Sequence, residues 1–356
     1  MLLAAQLLLF AMVDASSSAA WPRSVQPYFL SSLNANLTAA NASYLGGLPL
    51  VVINHKQGGY TGREEEKQLS ALSQVKAANA SCATYFYLNS QIDFPQLLLH
   101  DQFVANGSWW LRDAAGNFVM HNHDHIFDFE IAEARSAWLA TAQHALSQPY
   151  ISGLFIDKAD TNGGHGLMLE ELGATAVAAK KKLILNSANF FGLSGQLFER
   201  WGAMMDHDDL NVSDNLKLLE NLTDASNGGQ PSLMRAGGYR PGSVHSESPE
   251  ICGAALAAML VATASPNTAF FACMPSFNVI DGWMNMDQDP IFKQYLGAPK
   301  GKSVVGTDGL ITRAFEGANV TLNISSFDFS KGGQTESDLN RGCVQWASGE
   351  TTGTCP

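Results

Sequence analysis

Acidic side chains follow three short apolar runs of the sequence. Asp128, Asp157 and Asp206 each come directly after such a run. Two carboxylates on opposite sides of a cleft, one protonated as an acid and one ionised as a nucleophile or base, are the minimal equipment for cleaving a glycosidic bond. Asp157 and Asp206 fit this requirement if their strands lie two apart around a barrel, because their ends then face each other across its mouth. The competing interpretation is that each Asp only caps a helix or turn.

Other polar residues stand at similar positions and could contact a bound sugar. These candidates for substrate binding end apolar runs or lie close after one: Lys56, Asn89, Asp128, Lys158, Asp160, Asn186, His207 and Arg235. Their polar groups could bind the hydroxyl groups or charges of a ligand. Four aromatic residues could offer flat faces for stacking on a sugar ring, although aromatic residues are at least as often part of the core: Trp109, Trp110, Tyr87 and Trp283. Of these four, Trp110 is the predicted substrate contact.

Three alternating histidines are the strongest competing signal. His121, His123 and His125 would share one face of an extended segment, a spacing that can bind a divalent metal. A metal-dependent barrel hydrolase would need more histidines at other strand ends, where only His207 is available. The three side chains could equally line a sugar cleft or lie in an exposed loop. The sequence therefore predicts no metal site and no cofactor.

A repeating order of elements would position these residues. Eight apolar runs, each ended by polar residues, recur at intervals of roughly 20 to 40 residues, the length of one βα unit. The predicted strands are 50–53, 83–88, 126–127, 154–156, 183–185, 203–205, 232–234 and 268–271. Their continuous apolar character is typical of parallel strands buried on both faces. Eight units favour a (β/α)₈ TIM barrel, and no GxGxxG or GxxxxGK[ST] signature supports a nucleotide-binding sheet.

The segments between the strands carry helical patterns. Helices are predicted over 64–78, 131–146, 167–181, 193–200, 216–222 and 249–264. After Gly301 the pattern becomes β-rich, and strands over 309–315 and 319–324 are predicted to pair as a hairpin. The predicted organisation is a signal peptide (1–20), a barrel (21–300) and a small C-terminal β-unit with a polar tail (301–356).

The N-terminus, the glycan acceptors and the cysteines indicate a secretory route. An apolar run over residues 7–12 precedes small residues, as in a signal peptide, and is too short for a comfortable membrane span. Asn-X-Ser/Thr acceptors begin at Asn36, Asn41, Asn79, Asn106, Asn211, Asn221, Asn319 and Asn323. The five cysteines lack zinc-finger spacing. Cys252 with Cys273 and Cys343 with Cys355 could form disulfides, although spacing alone does not fix the pairing.

Composition and charge narrow the possible partners. The chain has 356 residues, of which 46% are hydrophobic and only 15% are charged, so it can fill a large core. Its 21 basic residues face 33 acidic ones, and the resulting net charge of -12 opposes binding to a nucleic-acid backbone. The expected partner is a carbohydrate, with no nucleic acid and, after the signal peptide is removed, no membrane.

Several segments resemble TIM-barrel glycoside hydrolases. Residues 109–117 (WWLRDAAGN), 128–138 (DFEIAEARSAW) and 153–157 (GLFID) resemble the WLRDADG, DxxNPxARxW and GVFLD segments of that group, and residues 295–320 resemble its C-terminal LGxPxG and YxRxFExxxVxVN segment. At greater distance the chain is similar to the alpha-galactosidase arrangement, with an Asp nucleophile after the fourth strand and an Asp acid/base after the sixth. The resemblance implies these roles for Asp157 and Asp206. Relatives commonly carry Glu near the latter position, so His207 and Asp208 are alternative acids.

The sequence thus predicts a secreted (β/α)₈ glycoside hydrolase that works with a pair of Asp carboxylates and no cofactor. Two other classes stay open. A catalytically inactive carbohydrate-binding barrel would keep the aromatic residues and lose one carboxylate. A metal-dependent barrel hydrolase would carry a metal that elemental analysis detects.

Overall fold

The computed structural model places sixteen strands and seven α-helices in the part of the chain that it describes. It describes residues 20–33, 36–59, 61–160, 162–186, 194–201, 212–224, 229–236, 249–273, 289–307, 309–324 and 342–356. In chain order the elements are β1 (Tyr28–Ser31), α1 (Ala39–Gly46), β2 (Leu50–Ile53), α2 (Glu64–Ala78), β3 (Ala83–Asn89), β4 (Ile92–Asp93), α3 (Leu98–Ala105), β5 (Met120–His121), β6 (Asp124–Ile126), α4 (Ala132–Leu146), β7 (Gly153–Asp157), α5 (Gly163–Ala178), β8 (Lys182–Asn186), β9 (Gly195–Trp201), α6 (Val212–Thr223), β10 (Ser232–Ala236), α7 (Pro249–Ala262), β11 (Ala269–Cys273), β12 (Val304–Val305), β13 (Leu310–Ala314), β14 (Ala318–Asn323), β15 (Gly342–Trp346) and β16 (Thr351–Gly353).

Eight of these strands form a parallel barrel. The order around the sheet is β1-β2-β3-β7-β8-β9-β10-β11. A parallel bridge between Pro27 and Phe271 joins the last strand to the first, and the Phe271 amide donates to the Gln26 carbonyl over 2.9 Å. Runs such as Leu50–Ile53 are buried along their whole length, as parallel strands covered by helices require. The predicted (β/α)₈ barrel is confirmed.

The strand predictions are right for six of the eight runs, and they miss the first barrel strand. Strand β1 was not predicted, and the run 126–127 does not belong to the barrel. It overlaps β6, which pairs antiparallel with β4 and β5 in a small sheet between β3 and α4. An apolar pair in a short hairpin has the same local pattern as the end of a barrel strand. Because the missed strand β1 and the wrongly included run 126–127 both precede Asp157, the count is unchanged, and Asp157 ends the fourth barrel strand as predicted.

The sixth barrel strand, β9, lies where the sequence predicts a helix. Residues 193–200 are predicted as a helix, yet β9 covers Gly195–Trp201 and pairs with β8 and β10. The charged pair Glu199-Arg200 interrupts the apolar run and imitates a helix pattern. The predicted strand over 203–205 lies outside the described residues, as does Asp206.

The helix predictions are largely confirmed. Helix α2 matches its predicted range, and α4, α5, α6 and α7 overlap theirs, whereas α1 and α3 were not predicted. Helix α7 is apolar on all sides because it packs between β10 of the barrel and strands β14 to β16. None of the helices in the described ranges is long and apolar enough to cross a membrane.

The C-terminal β-unit is a five-stranded antiparallel sheet in the order β12 to β16. The predicted hairpin is confirmed as β13 and β14, which pair from Leu310 and Asn323 onward. The Arg313 guanidinium donates to the Leu260 carbonyl over 2.9 Å at the end of α7, where a cation also meets the negative end of the helix dipole. Both disulfides named from the sequence are present, Cys252–Cys273 and Cys343–Cys355.

Candidate active site

The Asp157 carboxylate lies at the carboxyl end of the fourth barrel strand and accepts four hydrogen bonds. Its Oδ2 atom accepts from the Tyr87 hydroxyl over 2.6 Å and from Asn89 Nδ2 over 3.2 Å. Its Oδ1 atom accepts from Asn186 Nδ2 over 2.8 Å and from the Lys158 amide over 2.9 Å. All four partners are donors, so both oxygens are satisfied in the ionised form. The arrangement suits a fixed negative charge or a nucleophile.

The barrel itself brings these donors together. Asn89 ends β3 directly beside Asp157 in the strand register, and Asn186 ends β8 on the other side. Asn89 is held in turn, because its Oδ1 accepts from the Gln91 and Ile92 amides over 2.9 and 2.7 Å. The Oδ1 and Nδ2 atoms of Asn89 therefore contact different groups. One fixes the loop after β3, and the other points to the carboxylate.

The turn after Asp157 has an unusual backbone. Lys158 is exposed and adopts a left-handed conformation with φ of 56°. The Ser90 hydroxyl donates to the Lys158 carbonyl over 2.9 Å, and the Ala159 amide donates to the Asn186 carbonyl over 2.9 Å. A non-glycine residue in this region costs about 1 kcal/mol or more and persists only where its surroundings impose it. The turn is thus set by both neighbouring strands.

The described side-chain hydrogen bonds of Asp160 and Asp128 are made to residues two positions further along the chain. Asp160 Oδ1 accepts from the Asn162 amide and side chain over 3.0 and 2.8 Å. Asp128 Oδ1 accepts from the Glu130 amide over 3.0 Å. Asp128 follows the small sheet, so its predicted position at the end of a barrel strand is wrong. For these two residues the turn-capping interpretation fits the described contacts.

Trp110 lies in a buried cluster within the segment between β3 and α4. Its indole N–H donates to Asp93 Oδ2 over 2.7 Å, and its ring stacks on His125 with centroids 4.0 Å apart. His100 Nδ1 contacts the same Asp93 oxygen at 2.9 Å. Burial raises the pKa of Asp93, although Trp110 and His100 both act in the opposite direction. The stacking face predicted for a sugar is covered by an imidazole.

The remaining predicted contacts have different surroundings. Lys56 follows β2 and is half-buried, while Arg235 lies near the end of β10 and is fully buried. Asp206 and His207 lie outside the described residues, so the second carboxylate stays a prediction. Across the described ranges, no group of three or more His, Cys, Asp or Glu side chains is arranged to hold a metal ion.

Two residues at this edge of the barrel have surroundings that the sequence did not reveal. Tyr87 was considered only as a stacking surface, yet it is buried and contributes its hydroxyl to Asp157. His55 follows β2 and is 7% exposed. Burial, with a smaller effect of Lys56, lowers the pKa of His55 to about 3. Their aromatic character in a strand-end position is the one sequence signal that could have indicated them.

Comparison with solved structures finds a similar fold. A noncanonic maltogenic alpha-amylase from Thermotoga neapolitana aligns over 85% of this chain and 86% of its own, with a TM-score of 0.51 and 10% identity. This chain and that amylase share the barrel fold. A GH36 alpha-galactosidase from Geobacillus stearothermophilus aligns over 83% of this chain and 47% of its own, with a TM-score of 0.44 and 9% identity. No family model and no curated protein sequence matches the chain.

Proposed function

We propose that the protein is a secreted glycoside hydrolase that uses Asp157 as its nucleophile. The observation that carries the proposal is the Asp157 carboxylate at the mouth end of the fourth barrel strand, held by donors from β3 and β8. Active sites of barrels of this type lie at that end. The shared fold with an amylase agrees with a carbohydrate substrate.

The proposed reaction has two steps. An Asp157 oxygen attacks the anomeric carbon and forms an ester bond while the glycosidic C–O bond breaks, and Asp206 donates its proton to the leaving oxygen. Water then attacks the anomeric carbon, loses its proton to Asp206 and releases Asp157 as a carboxylate. The four donors keep Asp157 in one orientation before attack, which removes orientational freedom from the reacting pair.

The proposed compartment is the secretory pathway or the extracellular space. Two disulfides in the folded chain support it, because disulfides persist mainly in oxidising compartments. The predicted signal peptide and the Asn-X-Ser/Thr acceptors agree with the same route. The protein therefore meets its carbohydrate outside the cytosol.

A substrate screen tests the proposal directly. The purified protein is incubated with aryl glycosides of several sugars and with plant and algal polysaccharides, and released phenol and reducing ends are measured. We expect turnover of at least one substrate. Binding of a polysaccharide without turnover would instead favour the inactive carbohydrate-binding barrel, and activity that depends on a metal found by elemental analysis would favour the metal-dependent hydrolase.

A further inference from the structure

Four aromatic rings lie in a column beside the Asp157 carboxylate. Phe94 stacks on His55 with centroids 3.9 Å apart and planes 4° from parallel. His55 packs on Tyr87 at 5.1 Å and 34°, and Tyr87 stacks on Phe155 at 5.8 Å and 17°. The rings come from the segment after β4, from the segment after β2, from β3 and from β7. Tyr87 therefore has a ring on each side.

We propose that His55 is a positioning residue whose ring holds Tyr87 so that the phenol hydroxyl stays on Asp157 Oδ2. The proposal rests on the proposed glycosidase function for its effect on turnover. The phenol O–H is the shortest of the four contacts to the carboxylate, at 2.6 Å. Its direction depends on the plane and depth of the Tyr87 ring. His55 follows β2 and Phe155 lies on β7, and these two strands pair with β3 on opposite sides, so the two rings approach Tyr87 from opposite sides.

The contacts described for His55 are ring packing against Phe94 and Tyr87. Burial, with a smaller effect of Lys56, lowers the pKa of His55 to about 3, so the ring is neutral near pH 7. Its Nδ1 atom is buried and has no hydrogen-bond partner among the described residues. A buried polar atom without a partner destabilises the folded state. A phenylalanine at position 55 should therefore keep the ring packing against Tyr87.

A set of four variants tests this role. We expect His55→Ala to lower kcat by about 10- to 100-fold with little change in KM, because a small misplacement of a positioned group has effects of this size. His55→Phe should restore kcat to near the wild-type value and raise Tm. Tyr87→Phe should lower kcat as well, and adding His55→Ala to it should cause little further loss, since coupled residues are not additive.

A crystal structure provides a readout that does not need activity. In His55→Ala the distance from Tyr87 Oη to Asp157 Oδ2 should exceed ~3.5 Å, the limit of a hydrogen bond, and in His55→Phe the bond should remain. His144→Ala is the matched control, because His144 is an exposed histidine in the last turn of α4. It should change neither kcat nor the bond.

Three results would overturn the role of His55. They are an intact bond in His55→Ala, additive losses in the Tyr87→Phe background, or a raised KM at unchanged kcat in His55→Phe, which would make the imidazole a ligand contact. Failure of the proposed function looks different. The wild-type protein would then turn over no glycoside, while the Tyr87–Asp157 distance in the variants would still test the ring column.

Discussion

At the scale of single residues, the four donors around Asp157 make its charge costly to remove. In Asp157→Asn an NH₂ group takes the place of one carboxylate oxygen and faces the two donors of that oxygen, so at least one donor loses its acceptor. We expect a free energy of unfolding lower by about 1–3 kcal/mol, the usual cost of an unsatisfied buried polar group, with an unchanged circular dichroism spectrum. Urea unfolding measures the difference.

Asp160→Asn is the matched control for that stability prediction. Asp160 accepts both of its described side-chain hydrogen bonds on Oδ1, so an asparagine can keep them with its carbonyl oxygen. Its stability should lie close to that of the wild-type protein. Equal losses in the two variants would show that the donors around Asp157 do not act as described.

Part of the site follows from the sequence, because polar residues at the ends of neighbouring parallel strands must meet. Asp157, Asn89 and Asn186 were found in this way. His55 was not, since its contact with Tyr87 depends on rings from separate strands. The prediction that Trp110 contacts the substrate failed because the sequence does not show which ring packs on it. A tryptophan beside a predicted strand has the same sequence pattern whether its face is open or covered by a histidine.

At the scale of elements, the close packing of β7 against β8 brings Asp157 within hydrogen-bond distance of Asn186. A Cβ atom at Gly153 would lie 2.1 Å from the Lys182 carbonyl oxygen and 2.6 Å from the Tyr85 ring. We expect Gly153→Ala to destabilise the protein by at least the ~1–3 kcal/mol typical of overpacking, because a strand must shift. Urea unfolding followed by tryptophan fluorescence measures this loss.

Gly301→Ala controls for the added methyl group. A Cβ atom at Gly301 meets nothing within 4 Å, so this substitution should be close to neutral. A neutral Gly153→Ala would contradict the described spacing of β7 and β8. Six of the eight barrel strands were predictable from their continuous apolar runs. Strand β1 was missed, and β9 was not predictable because its charged pair breaks the run that identifies a buried strand.

At the scale of the whole molecule, the number of reactive thiols tests whether the two disulfides are formed. Cys82 is buried, and burial raises the pKa of its thiol to about 12. We expect no reaction of the native protein with a thiol reagent, one reactive thiol after unfolding without reductant, and five after unfolding with reductant. Five thiols before reduction would contradict the disulfides.

Secretion is tested by expression in a eukaryotic secretory host. The protein should reach the medium without its first residues, about 15 to 20 of them by the position of the apolar run, and with N-linked glycans. Mass spectrometry of the N-terminus and of the intact chain before and after glycan removal gives the result. An intact Met1 on a cytosolic, glycan-free product would contradict the proposed route.

The most direct test of the central claim compares kcat of wild-type and Asp157→Asn protein on the best aryl glycoside from the screen. The account predicts a loss of about 10³-fold or more, because the substitution removes the charge that stabilises the oxocarbenium-like transition state and forms the covalent intermediate. Circular dichroism must show that the variant is folded under the assay conditions. A folded variant with near wild-type kcat would contradict the account and place the nucleophile elsewhere.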